Sequence, residues 1–146
     1  WMSDIIGDPR RTGVVVVTTP EEMPVNETAE LIERLAEEST VDVAAVIVNR
    51  VLPELFARSE ESVFEALQSP AIMQRLRSVA GAEVDVVFEG ARLAVAMRRG
   101  GVEQLEALRA RVPAGLAMLY VPELTSRSTA RRSVEQVADA LAEELS

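Results

Sequence analysis

The sequence predicts an α/β fold: a partial doubly wound parallel sheet of three strands, with a helical excursion between the second and third. Three observations predict it. Residues 13–19, 43–49 and 115–121 are short runs, apolar at consecutive positions and rich in β-branched side chains, the pattern of strands buried on both faces of a parallel sheet. Segments with apolar residues at 3–4 spacing stand beside them, as the crossovers between parallel strands require. The runs end abruptly in polar or turn-forming residues, Thr18-Thr19-Pro20, Asn49-Arg50 and Pro122-Glu123.

Residues 1–12 are a polar lead-in, and any short helix at residues 2–6 should stop at Asp8, which Pro9 pushes towards extended geometry. After the first strand, Thr19-Pro20-Glu21-Glu22 carries the signals of a helix start, with Thr19 as cap and acids against the positive end of the dipole. Pro24 argues against a helix running straight through, so a turn over residues 19–23 and a helix over about 24–38 are expected. Val25, Ala29, Ile32, Leu35 and Ala36 give that helix its sheet-facing side. With the strand at 43–49 this completes a right-handed β-α-β unit.

Residues 54–112 read as helical throughout. Ser62-Val63-Phe64-Glu65 has the form of a capping box, Ser69-Pro70 of a cap and first turn, and Gly81 of a helix end. A helical segment over 84–99 should break at Gly100-Gly101 before another over 102–111. The apolar residues Val86, Val87, Phe88, Leu93, Val95 and Met97 suit a client groove, but such a stripe is more commonly core, the reading adopted here. Pro113 closes the block. The third strand leads through a loop at 125–129 to a helix over about 130–145, with an apolar face of Val134, Val137, Ala138, Leu141 and Leu145. All 146 residues read as one domain, able to bury about 68–70% of its unfolded surface.

Composition excludes whole classes of chemistry. There is no Cys and no His, and all 15 basic residues are Arg. Disulfides, thiolate nucleophiles, thiolate metal sites, Ser-His-Asp catalysis, Schiff-base lysines and a P-loop lysine are thereby absent from these residues. A net charge of −9 repels phosphate backbones, so no nucleic-acid partner is expected. No apolar run approaches transmembrane length, and Trp1-Met2-Ser3-Asp4-Ile5-Ile6 reads neither as a basic leader nor as a signal core. The expected address is cytoplasmic, peripheral to a membrane only through a partner.

Three stretches in order resemble one family. Val16-Val17-Thr18-Thr19-Pro20-Glu21-Glu22-Met23-Pro24-Val25-Asn26-Glu27-Thr28 looks like the strand-turn-helix late in ArsA-type ATPases, which include arsenite-pump ATPases and those that target tail-anchored membrane proteins. Val46-Ile47-Val48-Asn49-Arg50-Val51-Leu52-Pro53 is similar to the family's next strand, and Leu119-Tyr120-Val121-Pro122-Glu123-Leu124 to its last strand and following loop. The resemblance implies a P-loop NTPase-like fold binding ATP and Mg²⁺ as a homo- or hetero-dimer. It implies that Asn49 reads the adenine edge and that Pro122, Glu123 and Leu124 close over the base. The family's phosphate-binding loop, GKGGxGKT, needs lysines this sequence does not contain. The chain is therefore read as the C-terminal half of such an ATPase, with the N-terminal half as its partner. By itself it should bind no cofactor tightly and hydrolyse no ATP. The lack of Cys means that these residues carry neither the paired zinc cysteines of the tail-anchor group nor an arsenite-binding thiol cluster, which disfavours a plain arsenite pump; a targeting or chaperone-like role for a membrane-associated client is the expectation.

Without the resemblance, Asn49 reads as a strand-ending residue that satisfies its own turn. Arg50 reads as a surface or interface residue, and Glu21 with Glu27 lack the companions a catalytic pair needs. A second class of function stays open: a stand-alone, non-catalytic α/β interaction module. Both readings expect an unprotected sheet edge at residues 14–18, and with it self-association.

Overall fold

The computed structural model describes residues 5–8, 10–124 and 130–145, apart from the side chain of Arg58. Most of the expected lead-in helix and the loop at 125–129 lie outside the described residues. Three strands and five helices are described: β1 (Gly13–Thr18), α1 (Glu22–Glu38), β2 (Asp42–Val51), α2 (Arg58–Leu67), α3 (Pro70–Ala80), α4 (Glu83–Arg111), β3 (Ala117–Pro122) and α5 (Ala130–Glu144). The strands form one open, all-parallel sheet in the order β1-β2-β3, the partial α/β sheet expected. No described helix is long and apolar enough to cross a membrane.

The chain divides into two compact units, Trp1–Leu52 with Gly100–Ser146, and Pro53–Arg99. The first holds the sheet. Its core joins Val16 of β1, Val46 and Val48 of β2 and Met118 of β3 to Val25, Ala29 and Ile32 of α1 and to Leu108 and Val112. Leu108, Val25, Val46 and Val48 are the largest fully buried side chains, and removing each from water is worth roughly 1.5–3 kcal/mol. Arg111 donates to Asn26 Oδ1 at 2.7 Å and Arg109 to the Leu116 carbonyl at 3.2 Å, tying the end of α4 to α1 and to the entry of β3.

The opposite face of the sheet is more open than the sequence predicts. Val15 pairs with Ala45 and Val17 with Ile47, yet Val15 is 50% and Val17 61% exposed. β1 is an edge strand whose odd-numbered side chains have no helix over them among the described residues. The expected edge at residues 14–18 is this strand. α5 packs on β3. Its apolar face is narrower than expected: Val137 and Leu141 are half-buried, whereas Val134 and Leu145 are exposed.

Several helix boundaries differ from the sequence reading, each for a local reason. α1 begins at Glu22 with Glu21 as its cap, so Pro24 falls in the first turn, where a backbone N–H has no intrahelical acceptor to lose. α2 begins at Arg58: the Glu60 carboxylate accepts the Ala57 N–H at 2.9 Å, and Ser62 sits inside the helix, donating to the Ser59 carbonyl. The expected box at Ser62 is therefore not formed. Ser69 and Pro70 open α3 as expected, and Gly81 ends it at φ +82°, which favours glycine. Gly100-Gly101 does not break α4. Gly101 lies against Pro20, and at Gly100 an added Cβ would meet nothing within 4 Å; two helical glycines cost only about 1 kcal/mol each relative to alanine, which the packing of Leu108 and Val112 outweighs.

In the second unit, Phe64 stacks between Phe56 and Phe88 at centroid distances of 4.8 and 5.5 Å, and Phe64 and Met73 are buried. Arg77 Nε and Nη2 grip the Asp85 carboxylate at 2.8–3.0 Å, joining α3 to the first turn of α4. Arg99 pairs with Glu61 and Glu65 of α2. The expectation of core along α4 fails for Val86, Val87, Leu93 and Met97, which are 56–71% exposed. Val86, Leu93 and Met97 share one side of the helix, while Phe88 and Val95 lie on the opposite one.

Continuity of α4 predicts that Gly100→Ala raises stability by about 1 kcal/mol. Urea unfolding measures it, and a loss of stability would mean that the chain bends there. The Arg77 hydrogen bond holds the Asp85 pKa below its ordinary value. This carboxylate thus contributes stability that is fully present above the ordinary value, about 3.9, and is lost as pH falls through the lower folded one. The stability difference between wild type and Asp85→Asn should be constant from about pH 7 to pH 5 and shrink below about pH 4, followed by urea unfolding at each pH.

Candidate functional site

In an open parallel sheet, ligands bind beyond the carboxyl ends of the strands. At that end β2 departs from a regular ladder. Val48 pairs with Tyr120 and Val51 with Pro122, so Asn49 and Arg50 stand opposite the single residue Val121, the two-against-one count of a β-bulge. Arg50 is the one positive-φ residue other than glycine among the described residues, at φ +61°. Left-handed backbone at a long, unbranched side chain costs on the order of 1–3 kcal/mol and persists only where the surroundings impose it.

Two contacts impose it. Arg50 Nε donates to Glu123 Oε2 at 2.8 Å, and the Glu123 N–H donates to the Val51 carbonyl at 2.9 Å. Residue 123 is thereby held from both its backbone and its side chain to the end of β2. The Glu123 hydrogen bond, reinforced by its charge, raises the Arg50 pKa above the ordinary guanidinium value. Arg50 is mostly exposed and Glu123 less so, which makes the pair a surface clip rather than a buried charge.

The bulge also engages the neighbouring amide. The Arg50 N–H donates to Asn49 Oδ1 at 2.9 Å. Asn49 does satisfy its own turn, as its bare sequence reading has it, and this contact leaves Nδ2 and the second lone pair of Oδ1 to be used elsewhere. Asn49, Glu123 and Leu124 are half-buried and Pro122 is exposed. All four stand at the carboxyl ends of the adjacent strands β2 and β3, which the register and the clip bring side by side.

Asn49 also lines a cavity of about 340 Å³ on the β1 side, together with Val16, Val17, Thr18, Thr19, Pro24, Glu27, Thr28 and Leu31. Thr18 and Thr28 are buried there at 5% exposure each. Their role was not legible in the sequence, where Thr28 reads only as a helix residue and Thr18 as a strand end. Glu21 heads α1 while Glu27 lines this cavity, and among the described residues no three acidic side chains gather to hold a metal ion. Arg50 was read from the sequence only as a surface or interface residue, and its left-handed backbone has no sequence signal in an arginine.

The donor set suits a base better than a phosphate. An amide, apolar strand ends and a proline-containing loop can pack and hydrogen-bond a planar heterocycle, whereas Glu27 and Glu123 repel anions. Comparison with curated proteins gives no match. Residues 1–104 match the family described as the anion-transporting ATPase, and since that match runs over most of the 146 residues, the chain belongs to the anion-transporting ATPase family.

Proposed function

We propose that this chain is the adenine-reading, C-terminal portion of an ArsA-type ATPase, and that Asn49 hydrogen-bonds the adenine edge. Pro122, Glu123 and Leu124 flank the base. The observation that carries this reading is the placement of Asn49 and residues 122–124 at the adjacent carboxyl ends of β2 and β3, fastened by the Arg50–Glu123 clip. An amide offers a donor and an acceptor side by side, which is what the N6 amino group and the adjoining ring nitrogen of adenine require.

Phosphates and Mg²⁺ do not fit the residues described here. No lysine is present, and no cluster of acidic ligands is assembled among the described residues. Affinity for nucleoside triphosphates in this class rests largely on backbone amides and a lysine around the phosphates. In this reading those groups, and the hydrolytic step with them, belong to an N-terminal half of the ATPase that pairs with this one. The open edge of β1, with Val15 and Val17 exposed beside it, supports a sheet that continues into such a partner or into a second subunit. The exposed Val86, Leu93 and Met97 support the handling of an apolar segment of a membrane-protein client.

Base contacts alone should give the isolated chain a Kd for AMP of about 1 mM or weaker. Asn49→Ala should weaken it about tenfold, the loss of roughly 1.4 kcal/mol of hydrogen bonding. An NMR titration of both proteins with AMP measures this. Equal affinities would remove Asn49 from the site, and ATP turnover by the purified chain alone would sink the division of labour between the two halves.

A further inference from the structure

The second unit presents a helix face that matches itself. Val86, Gly90, Leu93 and Met97 recur along α4 at alternating steps of four and three residues, the seam pattern of a coiled coil. All four are exposed. A Cβ added at Gly90 would meet nothing within 4 Å, so the middle of the seam is an open notch. Two copies of this seam can lie side by side in either direction. Laid parallel, Gly90 faces Gly90 and the notch stays empty, which forfeits packing contacts. Laid antiparallel about a two-fold axis between residues 91 and 92, Leu93 of each copy enters the Gly90 notch of the other, and Val86 meets Met97. Only the antiparallel direction sets large side chains against the gap.

The charges favour the same direction. Asp85 is held by Arg77, and Arg99 by Glu61 and Glu65. Glu89 and Arg92, exposed along one edge of the seam, make no ion pair among the described residues. In the antiparallel arrangement Glu89 of each copy comes alongside Arg92 of the other, twice over. A parallel pair sets this edge against the opposite edge of the partner, where Val87 and Ala94 stand, and Arg92 gains no carboxylate. Charge placement of this kind is what sets partner and orientation in paired helices. We propose that the face of α4 from Val86 to Met97 is an interface with a second copy of this chain, the two helices antiparallel and each Leu93 filling the other's Gly90 notch. The inference is independent of the adenine reading of Asn49. An apolar client segment would make no use of Glu89 and Arg92.

The sequence has no cysteine, so introduced thiols report neighbours without background. Antiparallel pairing brings residue 86 of one copy beside residue 97 of the other. It keeps each about 16 Å along the helix from its own counterpart, beyond the reach of a disulfide. The 146-residue protein is made as Val86→Cys and as Met97→Cys, and each is oxidised in a glutathione buffer alone and in equal mixture. Disulfide-linked dimer should form in the mixture at about ten times the yield of either variant alone. Sedimentation equilibrium gives a second readout. Leu93→Asp, at a position already exposed, should weaken association about tenfold or more. Glu89→Arg should weaken it about fivefold, and Glu89→Arg combined with Arg92→Glu should restore it, since the two charges then meet again with signs exchanged. Cross-linking of either cysteine variant with itself makes the pairing parallel and overturns the proposal. A dimer that Leu93→Asp leaves unchanged lies elsewhere, as at the β1 edge, and overturns it too. So does a protein that stays monomeric at about 1 mM. Leu93-dependent capture of an apolar helical peptide, with no cross-link in the mixture, would assign the face to a client instead.

Discussion

The structure of the sheet unit depends on the burial of Val46 and Val48. Both lie in the central strand, wholly removed from water, and the apolar side chains of α1 and the last turns of α4 close over them. A parallel strand cannot be covered by its own neighbours, because each crossover must travel back along a face of the sheet. The segment from Gly100 onward is therefore drawn into the sheet unit although it follows a long helical stretch in sequence. Leu108 and Val112 hold it there. Once β2 is fixed in this way, its carboxyl end can project only in one place, beside the ends of β1 and β3.

That end is where regularity is given up. Arg50 takes a conformation that few side chains adopt, and the register slips by one residue against β3. The local cost is offset by contacts that all converge on residues 49–51: the Asn49 amide oxygen, the Glu123 carboxylate and the Glu123 N–H. Strained backbone beside a cluster of polar groups is the usual signature of a place where precise aim outweighs local stability. Carboxylates stand at this end of the sheet and no lysine exists anywhere in the chain.

Much of the fold was legible because strand and helix periods are written locally. The runs at 13–19, 43–49 and 115–121 became strands with every boundary within two residues. The Ser69-Pro70 start and the Gly81 stop follow from single-residue stereochemistry and hold. Failures occur where one local signal competes with another or with packing. Pro24 looked like a barrier but falls where no hydrogen bond is lost. Ser62 looked like a cap, yet Glu60 serves a start five residues earlier. Gly100-Gly101 looked like a break, but the apolar residues on the far side pull the helix through. The burial of Val15 and Val17 was overestimated, since an apolar run does not reveal whether its strand lies at an edge.

The resemblance to ArsA-type ATPases agrees with the family match over residues 1–104, within which two of its three stretches fall. Asn49 and residues 122–124 could be nominated from those stretches, but not related to one another: some seventy residues separate them. The sequence by itself determined the element types, the parallel class of the sheet and the absence of cysteine, histidine and lysine chemistry, because these depend on residue identity and short-range spacing. Only the tertiary structure decided that β2 is central, that Glu123 reaches Arg50, and that the Arg50 N–H meets the Asn49 amide. Those facts depend on strand order and on a one-residue slip in register, which arise when the sheet is assembled and covered and leave no periodic trace along the chain.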